Sequence, residues 1–284
     1  MAKPQQQNNP KFFCPLFNFE VAVNEENNTE PISIQTEEKN SFTRFEFVGN
    51  TTIGTIKKYD LEVNESLITR LILDKHIAGA FYNKYRDLPV IEIYQESEDN
   101  LASLIENIVL ALRIFKEGDV FCEVIWSENN TGQIVLNPTY EMPSTIHSKI
   151  YSLKMEEIDQ ISEIFEKIIK TDFDNRRHLR IACDRLNRSY GKSMHDEKIV
   201  DFMIAFEALF LRENSPNHGL IIGTACSMLL GKTDDERKEI YDFFIKAYGL
   251  RNKIVHGSAI DYSGIGETAF KLKEYLRKSI MLFL

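Results

Sequence analysis

The pattern of apolar and polar positions divides the chain into two parts. In the first part, short runs rich in β-branched and aromatic residues alternate with turn-forming residues, which is typical of strands. These predicted strands are FNFEVAVNE, FTRFEFVGN, IGTIKKYDLEV, LPVIEIYQE, DVFCEVIWSE and GQIVLNP. One segment among them, NLASLIENIVLALRIFKEG, has an asparagine cap, apolar residues at helical spacing and a terminal glycine, so we predict a helix there.

Helical periodicity dominates the second part, from about Met155 to the end of the chain. It is clearest in MEEIDQISEIFEKIIK, EKIVDFMIAFEALFL and DERKEIYDFFIKAYGLRNKIVHG. Pro138 and Pro143 punctuate the chain before this change of pattern. We therefore predict an α+β protein, with a β-rich N-terminal domain over residues 1–147 and an all-α helical bundle over residues 148–284.

Composition narrows the class of protein. The chain has 284 residues, of which 43% are apolar, and this is enough for two domains with real cores. A formal charge of −9 argues against a surface coated in positive charge, so a nucleic-acid site would be a local basic patch. The chain has no Walker A loop, GxGxxG, HExxH or G-x-S-x-G elbow, and its acidic residues suggest no metal cage. We expect neither a cofactor nor a metal site.

The cysteines, the start of the chain and the longest apolar run indicate the cellular compartment of the protein. Cys14, Cys122, Cys183 and Cys226 lie far apart and form no CxxC pair, so we expect buried free thiols of a reducing compartment. The start, MAKPQQQNNPKFF, has no apolar region of a signal peptide. The longest apolar run, GLIIGTACSMLLG, is too short to span a bilayer. We predict a soluble cytoplasmic protein without a membrane partner.

Arginines that precede a histidine after four to six intervening residues occur four times. The pairs are Arg70 with His76, Arg188 with His195, Arg212 with His218, and Arg251 with His256. The Arg212 pair straddles Pro216 and is expected in a loop, and the Arg188 pair contains Gly191 and is expected in a turn. Only YGLRNKIVHG combines a helical period, an adjacent polar residue and a glycine stop.

A helical wheel of the predicted helix that ends in this segment shows two features. Besides a normal core stripe, a second arc contains Tyr241, Ile245, Tyr248 and Val255, so the total apolar arc is wider than a surface helix needs. A second copy of the protein or the N-terminal domain could cover it. Asn252 and His256 share a face, whereas Arg251 and His256 point about 140° apart on an ideal helix, a gap that a two-fold dimer could close. A histidine and a glycine at a helix C-terminus are also explained by the helix dipole and ordinary capping.

The segments DFMIAFEALFL, GLIIGTACSMLLG and YGLRNKIVHG together resemble the HEPN domain, specifically its ApeA-like branch, over about residues 150–284. The segment IVLALRIFKEGDV resembles the region that precedes the helical domain in such proteins. The resemblance implies a metal-independent endoribonuclease, often a toxin or phage-defence effector, whose site forms at a homodimer interface. The family's motif maps onto Arg251, Asn252 and His256. Some HEPN proteins are catalytically silent scaffolds or nucleotide binders.

These residue types suit RNA cleavage without a metal. A histidine can take or give a proton at neutral pH, and an arginine offers a charged planar fork to phosphate oxygens. We expect His256 to act as general acid or base, Arg251 to stabilise the transition state and Asn252 to position the substrate. Attack by the 2′-hydroxyl would leave a cyclic 2′,3′-phosphate.

Two further features have a functional and a structural interpretation. Glu207 lies within an apolar helix, where it could orient Arg251 or form a purely structural pair. The stretch NRRHLRIACDRLNRSYGK places Arg177, Arg180, Arg185 and Arg188 on one helical face, which could contact RNA or be a solvated, salt-bridged surface.

The sequence therefore predicts a homodimeric, cytoplasmic endoribonuclease with an N-terminal sensing or regulatory domain. A transfer RNA is one candidate substrate, and an antitoxin or a phage trigger is a candidate partner. The alternatives are a silent HEPN scaffold, a nucleotide-binding regulatory protein, or a sensor that signals through a partner.

Overall fold

The computed structural model describes residues 11–22, 45–46, 51–55, 89–94, 101–122, 124–128, 134–138, 149–212 and 214–284. The chain divides into two compact units that interleave along the sequence. The first, called the strand unit, combines Met1–Val109, Gly118–Met142 and His147–Glu163. The second, called the helical unit, combines Leu110–Glu117, Pro143–Ile146 and Ile164–Leu284. Residues 139–148, around the predicted domain boundary, and the Arg70–His76 pair lie outside the described residues.

The strand unit contains an antiparallel sheet in the order β3-β4-β5-β1-β7-β8, and β6 also pairs with β1. Its strands are β1 Lys11–Phe17, β3 Phe45–Glu46, β4 Thr51–Thr55, β5 Pro89–Tyr94, β6 Phe121–Cys122, β7 Val124–Glu128 and β8 Ile134–Pro138. Strand β1 was not predicted, because Pro15 is unusual inside a central strand. Its pairing with β7 stops at Phe13 and its pairing with β6 starts at Leu16, so Pro15 lies at a break between these two partners, while on the other side of β1 it lies opposite Val90 of β5.

A separate parallel pair joins β2, Phe19–Ala22, to β9, Tyr151–Lys154. The rings of Phe19 and Tyr151 stack with centroids 5.6 Å apart, and a side chain at Gly118 would approach the Tyr151 Cβ to 2.6 Å. Strand β9 corrects the prediction that the chain is all-α from residue 148. Four residues are too few for a strand alternation to stand out beside the helix that follows.

The structure joins Cys14 of β1 to Cys122 of β6 in a disulfide, with the two Cα atoms 6.3 Å apart. Only Cys183 and Cys226 are free, and both are buried. The expectation of four free thiols was therefore wrong. The disulfide depends on the antiparallel pairing of β1 with β6, which places Leu16 opposite Cys122. The expectation failed because local sequence patterns do not reveal a pairing between strands so far apart in the chain.

Helices dominate the rest of the described residues, as predicted. They are α1 Leu101–Phe115, α2 Ile158–Lys170, α3 Arg177–Tyr190, α4 His195–Phe210, α5 His218–Leu230, α6 Asp234–Val255 and α7 Ile265–Phe283. A short 3-10 turn, Met155–Glu157, precedes α2. None of these helices combines the length and the apolar character that a membrane crossing requires.

The core of the helical unit lies between α3, α4, α6 and α7. Phe206 of α4 meets Phe244 of α6 edge to face with centroids 4.8 Å apart, and both side chains are fully buried. Leu272 and Leu276 of α7 are also fully buried, and Leu186 adds to the core from α3. This packing fixes the position of α6, the helix that carries the predicted catalytic motif.

Helix α6 has defined signals at both ends. At its start, the Thr233 hydroxyl accepts a hydrogen bond from the Glu236 N–H while the Glu236 carboxylate accepts one from the Thr233 N–H. At its end, Gly257 has a φ of +66°, and the N–H groups of Gly257 and Ser258 donate to the carbonyls of Ile254 and Lys253. The predicted glycine stop is confirmed as a Schellman motif.

Candidate functional site

Arg251 is held by two neighbours at the C-terminal part of α6. Its Nη2 lies 3.4 Å from both carboxylate oxygens of Glu207, which α4 provides. Its Nη1 donates to the Asn252 side-chain oxygen at 3.2 Å. Both Arg251 and Glu207 are about four-fifths buried, so solvent screens the pair less than it would an exposed one. The possibility that Glu207 orients Arg251 is consistent with this contact.

His218 and Tyr248 extend this site. The His218 Nδ1 lies 3.1 Å from the Tyr248 hydroxyl oxygen and 4.0 Å from Glu207 Oε1. Burial raises the pKa of Tyr248, and the negative charge of Glu207 and a hydrogen bond to that carboxylate raise it further, while Arg251 acts in the opposite direction. We call Glu207, His218, Tyr248 and Arg251 the polar cluster.

The polar cluster corrects the treatment of His218 as a loop residue. His218 is the first residue of α5, and Asn217 before it takes a left-handed conformation with a φ of 56°. This turn directs the start of α5 toward α6. A Cβ at Gly219 would lie 3.1 Å from the Tyr248 ring, so a glycine permits the close approach. The contact between His218 and Tyr248 bridges two helices, and the spacing of Arg212 and His218 could not have shown it.

His256 lies apart from the polar cluster. It is the C-cap of α6, its side chain is exposed, and its backbone N–H donates to the Asn252 carbonyl. Among the described residues, no hydrogen bond or ion pair links its imidazole to Arg251 or Asn252. Eight residues separate Tyr248 from His256, which corresponds to a rise of about 12 Å along the helix. Of the three predicted catalytic residues, the structure thus brings Arg251 and Asn252 together and leaves His256 separate.

No protein-family model matches the chain, and neither a curated protein nor a solved structure matches it. The HEPN resemblance stays a hypothesis that rests on the quoted segments.

The arginines predicted to contact RNA differ in their surroundings. Arg185 lies 2.8 Å from Asp201, whose carboxylate is buried and also contacts Lys192. Arg180 forms an exposed pair with Asp174 at 3.1 Å. The side chains of Arg177 and Arg188 are exposed and form no ion pair with a described residue. Arg185 therefore has a structural role, whereas Arg177 and Arg188 are available to a ligand.

Apolar side chains remain exposed on the helices that carry the site. On α6, Ile245 and Val255 belong to the predicted second arc, and their exposed fractions are 39% and 50%. On α5, Leu220 and Met228 are exposed by 50% and 62%. Apolar side chains exposed in this way offer surface that a second protein could cover.

Proposed function

We propose that the protein is a metal-independent endoribonuclease whose site lies at the C-terminal end of α6. The observation that carries this proposal is the guanidinium of Arg251, which Glu207 and Asn252 fix five residues before the exposed histidine that ends the helix. A fixed guanidinium is suited to a phosphate because its fork is already oriented before the ligand binds.

The roles follow from the chemistry of each group. Arg251 binds the phosphate and stabilises the extra negative charge that develops during attack. Asn252 keeps the guanidinium in place through its side-chain oxygen and leaves its amide N–H groups for the substrate. His256 transfers a proton, for which its exposed position is suitable. The products are a cyclic 2′,3′-phosphate and a free 5′-hydroxyl.

A homodimer belongs to this proposal. Within one chain His256 does not contact Arg251, and an ideal helix separates their directions by about 140°. A second copy that covers the exposed side chains of Ile245 and Val255 would place two motifs at one interface. The site would then be complete only in the dimer.

The biological role that we propose is that of a toxin or an anti-phage effector. The β-rich N-terminal domain would sense a phage trigger or bind an antitoxin, and RNA, with a transfer RNA as one candidate, would be the substrate. A cytoplasmic location is part of this proposal. The Cys14–Cys122 disulfide argues against that location, because disulfides are rare in reducing compartments. Fractionation of the native cells with detection of the protein decides this point.

A catalytically silent HEPN scaffold, or one that binds a nucleotide, is the second candidate. It is favoured by the Glu207 carboxylate, which partly neutralises Arg251, and by the Schellman motif, which accounts for Gly257 without any catalytic role. In that case the exposed apolar side chains of α5 and α6 would serve an interface alone.

Purified full-length protein tests the proposal directly. We expect it to cut transfer RNA or a mixed-sequence single-stranded RNA oligonucleotide in the presence of a chelator, and to leave cyclic phosphate ends. His256→Ala and Arg251→Ala should reduce the rate by a factor of about 100 or more. His195→Ala, which removes another exposed histidine at a helix end, serves as the matched control. Equal rates for the wild type and His256→Ala would refute the assigned role.

A further inference from the structure

The polar cluster contains a histidine to which the proposed mechanism gives no role. We propose that His218 is the general base of the site and takes the proton from the attacking 2′-hydroxyl, which leaves His256 as the general acid. This inference rests on the proposed ribonuclease function. The sequence alone assigns proton transfer to His256, as acid or base. This inference assigns one proton transfer to each of two histidines.

The hydrogen-bond network sets the tautomer of His218. The His218 Nδ1 faces two oxygens, the Tyr248 hydroxyl oxygen at 3.1 Å and the Glu207 carboxylate, which can only accept a hydrogen bond, at 4.0 Å. The negative charge of this carboxylate favours a proton on Nδ1, and Nδ1 then donates to the Tyr248 oxygen. A neutral imidazole that carries its proton on Nδ1 has a lone pair on Nε2. The network therefore prepares Nε2 to accept a proton.

The exposed position of His218 gives a substrate access to this nitrogen. Its side chain is 41% exposed, and Nε2 makes no hydrogen bond to a described residue. The two ring nitrogens point away from each other, so Nε2 points away from Tyr248 when Nδ1 points toward it. A hydroxyl of a bound ligand can therefore reach Nε2.

His218 and Arg251 also share a neighbour. Glu207 Oε1 lies 4.0 Å from the His218 Nδ1 and 3.4 Å from the Arg251 Nη2. The guanidinium that would bind the phosphate and the imidazole are thus neighbours of one carboxylate. Among the described residues, the charged and titratable neighbours of His218 are Glu207 from α4 and Tyr248 from α6, and Arg251 lies beyond Glu207. Glu207 and Tyr248 are positioning residues in this scheme.

The cleavage step is balanced as follows. Nε2 of His218 takes the proton of the 2′-hydroxyl while the 2′-oxygen forms a bond to phosphorus. The bond between phosphorus and the 5′-oxygen breaks, and its electron pair stays on the 5′-oxygen. His256, in its protonated form, gives that oxygen a proton. Two histidines of opposite protonation state then produce a bell-shaped dependence of the rate on pH.

The first test is the tautomer of His218, measured by long-range proton–nitrogen NMR on the full-length protein at pH 8. The signals are assigned by comparison with His218→Gln. We expect protonated Nδ1 in the wild type, and a mixture of tautomers in Tyr248→Phe, which lacks the accepting oxygen. A proton on Nε2 in the wild type would overturn the proposal, whatever the enzymatic activity.

The second test is the rate of cleavage of a fluorescent mixed-sequence RNA oligonucleotide as a function of pH. We expect His218→Gln to lower kcat by a factor of about 100 to 10,000 with little change in KM, and to abolish the acid limb of the profile. His195→Gln should behave as the wild type, and circular dichroism should show that all variants are folded.

The outcomes distinguish this inference from the function on which it rests. If His256→Ala is inactive while His218→Gln keeps the wild-type rate and profile, the nuclease stands and the assignment of His218 is wrong. If the wild type cuts neither the oligonucleotide nor transfer RNA, the ribonuclease function and the assignment fail together.

Discussion

Arg251 and Glu207 form an ion pair between α6 and α4 in which one guanidinium nitrogen lies 3.4 Å from both carboxylate oxygens. Each side chain is about four-fifths buried, so the pair fixes the predicted phosphate-binding residue in the absence of a ligand. The same carboxylate lies 4.0 Å from the His218 Nδ1, so one acidic side chain neighbours both Arg251 and His218.

The first prediction concerns the strength of this pair. In a double-mutant cycle of Glu207→Ala and Arg251→Ala, we expect a coupling of about 1 kcal/mol in the free energy of unfolding. Urea unfolding of the four proteins measures it. The exposed pair of Arg180 and Asp174, at 3.1 Å, is the control and should couple by less than about 0.5 kcal/mol. Equal couplings for the two pairs would contradict a special role for Glu207.

The second prediction concerns the alkaline stability of the site. The pKa of Tyr248 is raised in the folded protein, so the folded state holds the phenol proton more tightly than the unfolded chain does. The stabilisation by Tyr248 is complete below the unfolded pKa of about 10 and is lost as the pH rises through the folded pKa. Tyr248→Phe should therefore be less stable by about 1 kcal/mol at pH 8 and should approach the wild type above pH 10.

Chemical unfolding at several pH values measures this difference. Tyr262→Phe, at an exposed tyrosine in the loop between α6 and α7, is the control and should change stability little at any pH. A difference between the wild type and Tyr248→Phe that grows with pH would have the wrong sign for the contacts described.

The third prediction concerns the cysteines. Burial, together with the nearby charge of Asp184, raises the pKa of the Cys183 thiol to about 12, and burial also raises the pKa of Cys226. The folded protein should therefore react with iodoacetamide slowly at pH 8. Unfolding without a reductant should expose two thiols, and reduction should raise the number to four. Mass spectrometry counts the labels, and four labels without reduction would contradict the disulfide.

The fourth prediction separates the arginines of α3. Arg185→Ala removes a partner of the buried Asp201 and should lower the free energy of unfolding by about 2 kcal/mol, although Lys192 still contacts that carboxylate. Arg188→Ala, at an exposed position, should leave stability unchanged. If the face contacts RNA, Arg188→Ala weakens binding of an RNA oligonucleotide and reduces its dependence on salt. Unchanged binding would assign the face to solvent.

Local patterns were sufficient for most of the helical unit. The helical period of the apolar positions predicted α6. Gly257 marked the end of this helix, because a glycine suits the left-handed C′ position. The neighbouring positions of Arg251 and Asn252 on that helix followed directly. These features depend on residues a few positions apart, whose relative geometry a helix fixes by itself.

Pairing across the sequence was not predictable in this way. The disulfide of Cys14 and Cys122, with a sequence separation of 108, depends on two strands finding each other in the sheet. The contact of His218 with Tyr248 depends on the packing of α5 against α6 through Gly219. Neither leaves a periodic signal in the sequence, because the partners belong to different elements.

The most direct test of the central claim is the sequencing of RNA ends from cells that express the wild type or His256→Ala. We predict growth arrest and new cyclic 2′,3′-phosphate ends with the wild type only, and the positions of the ends will identify the substrate. Arrest and identical ends with both proteins would contradict the assignment of His256 as a catalytic residue. The absence of new ends from the wild type would contradict the ribonuclease function and favour the scaffold.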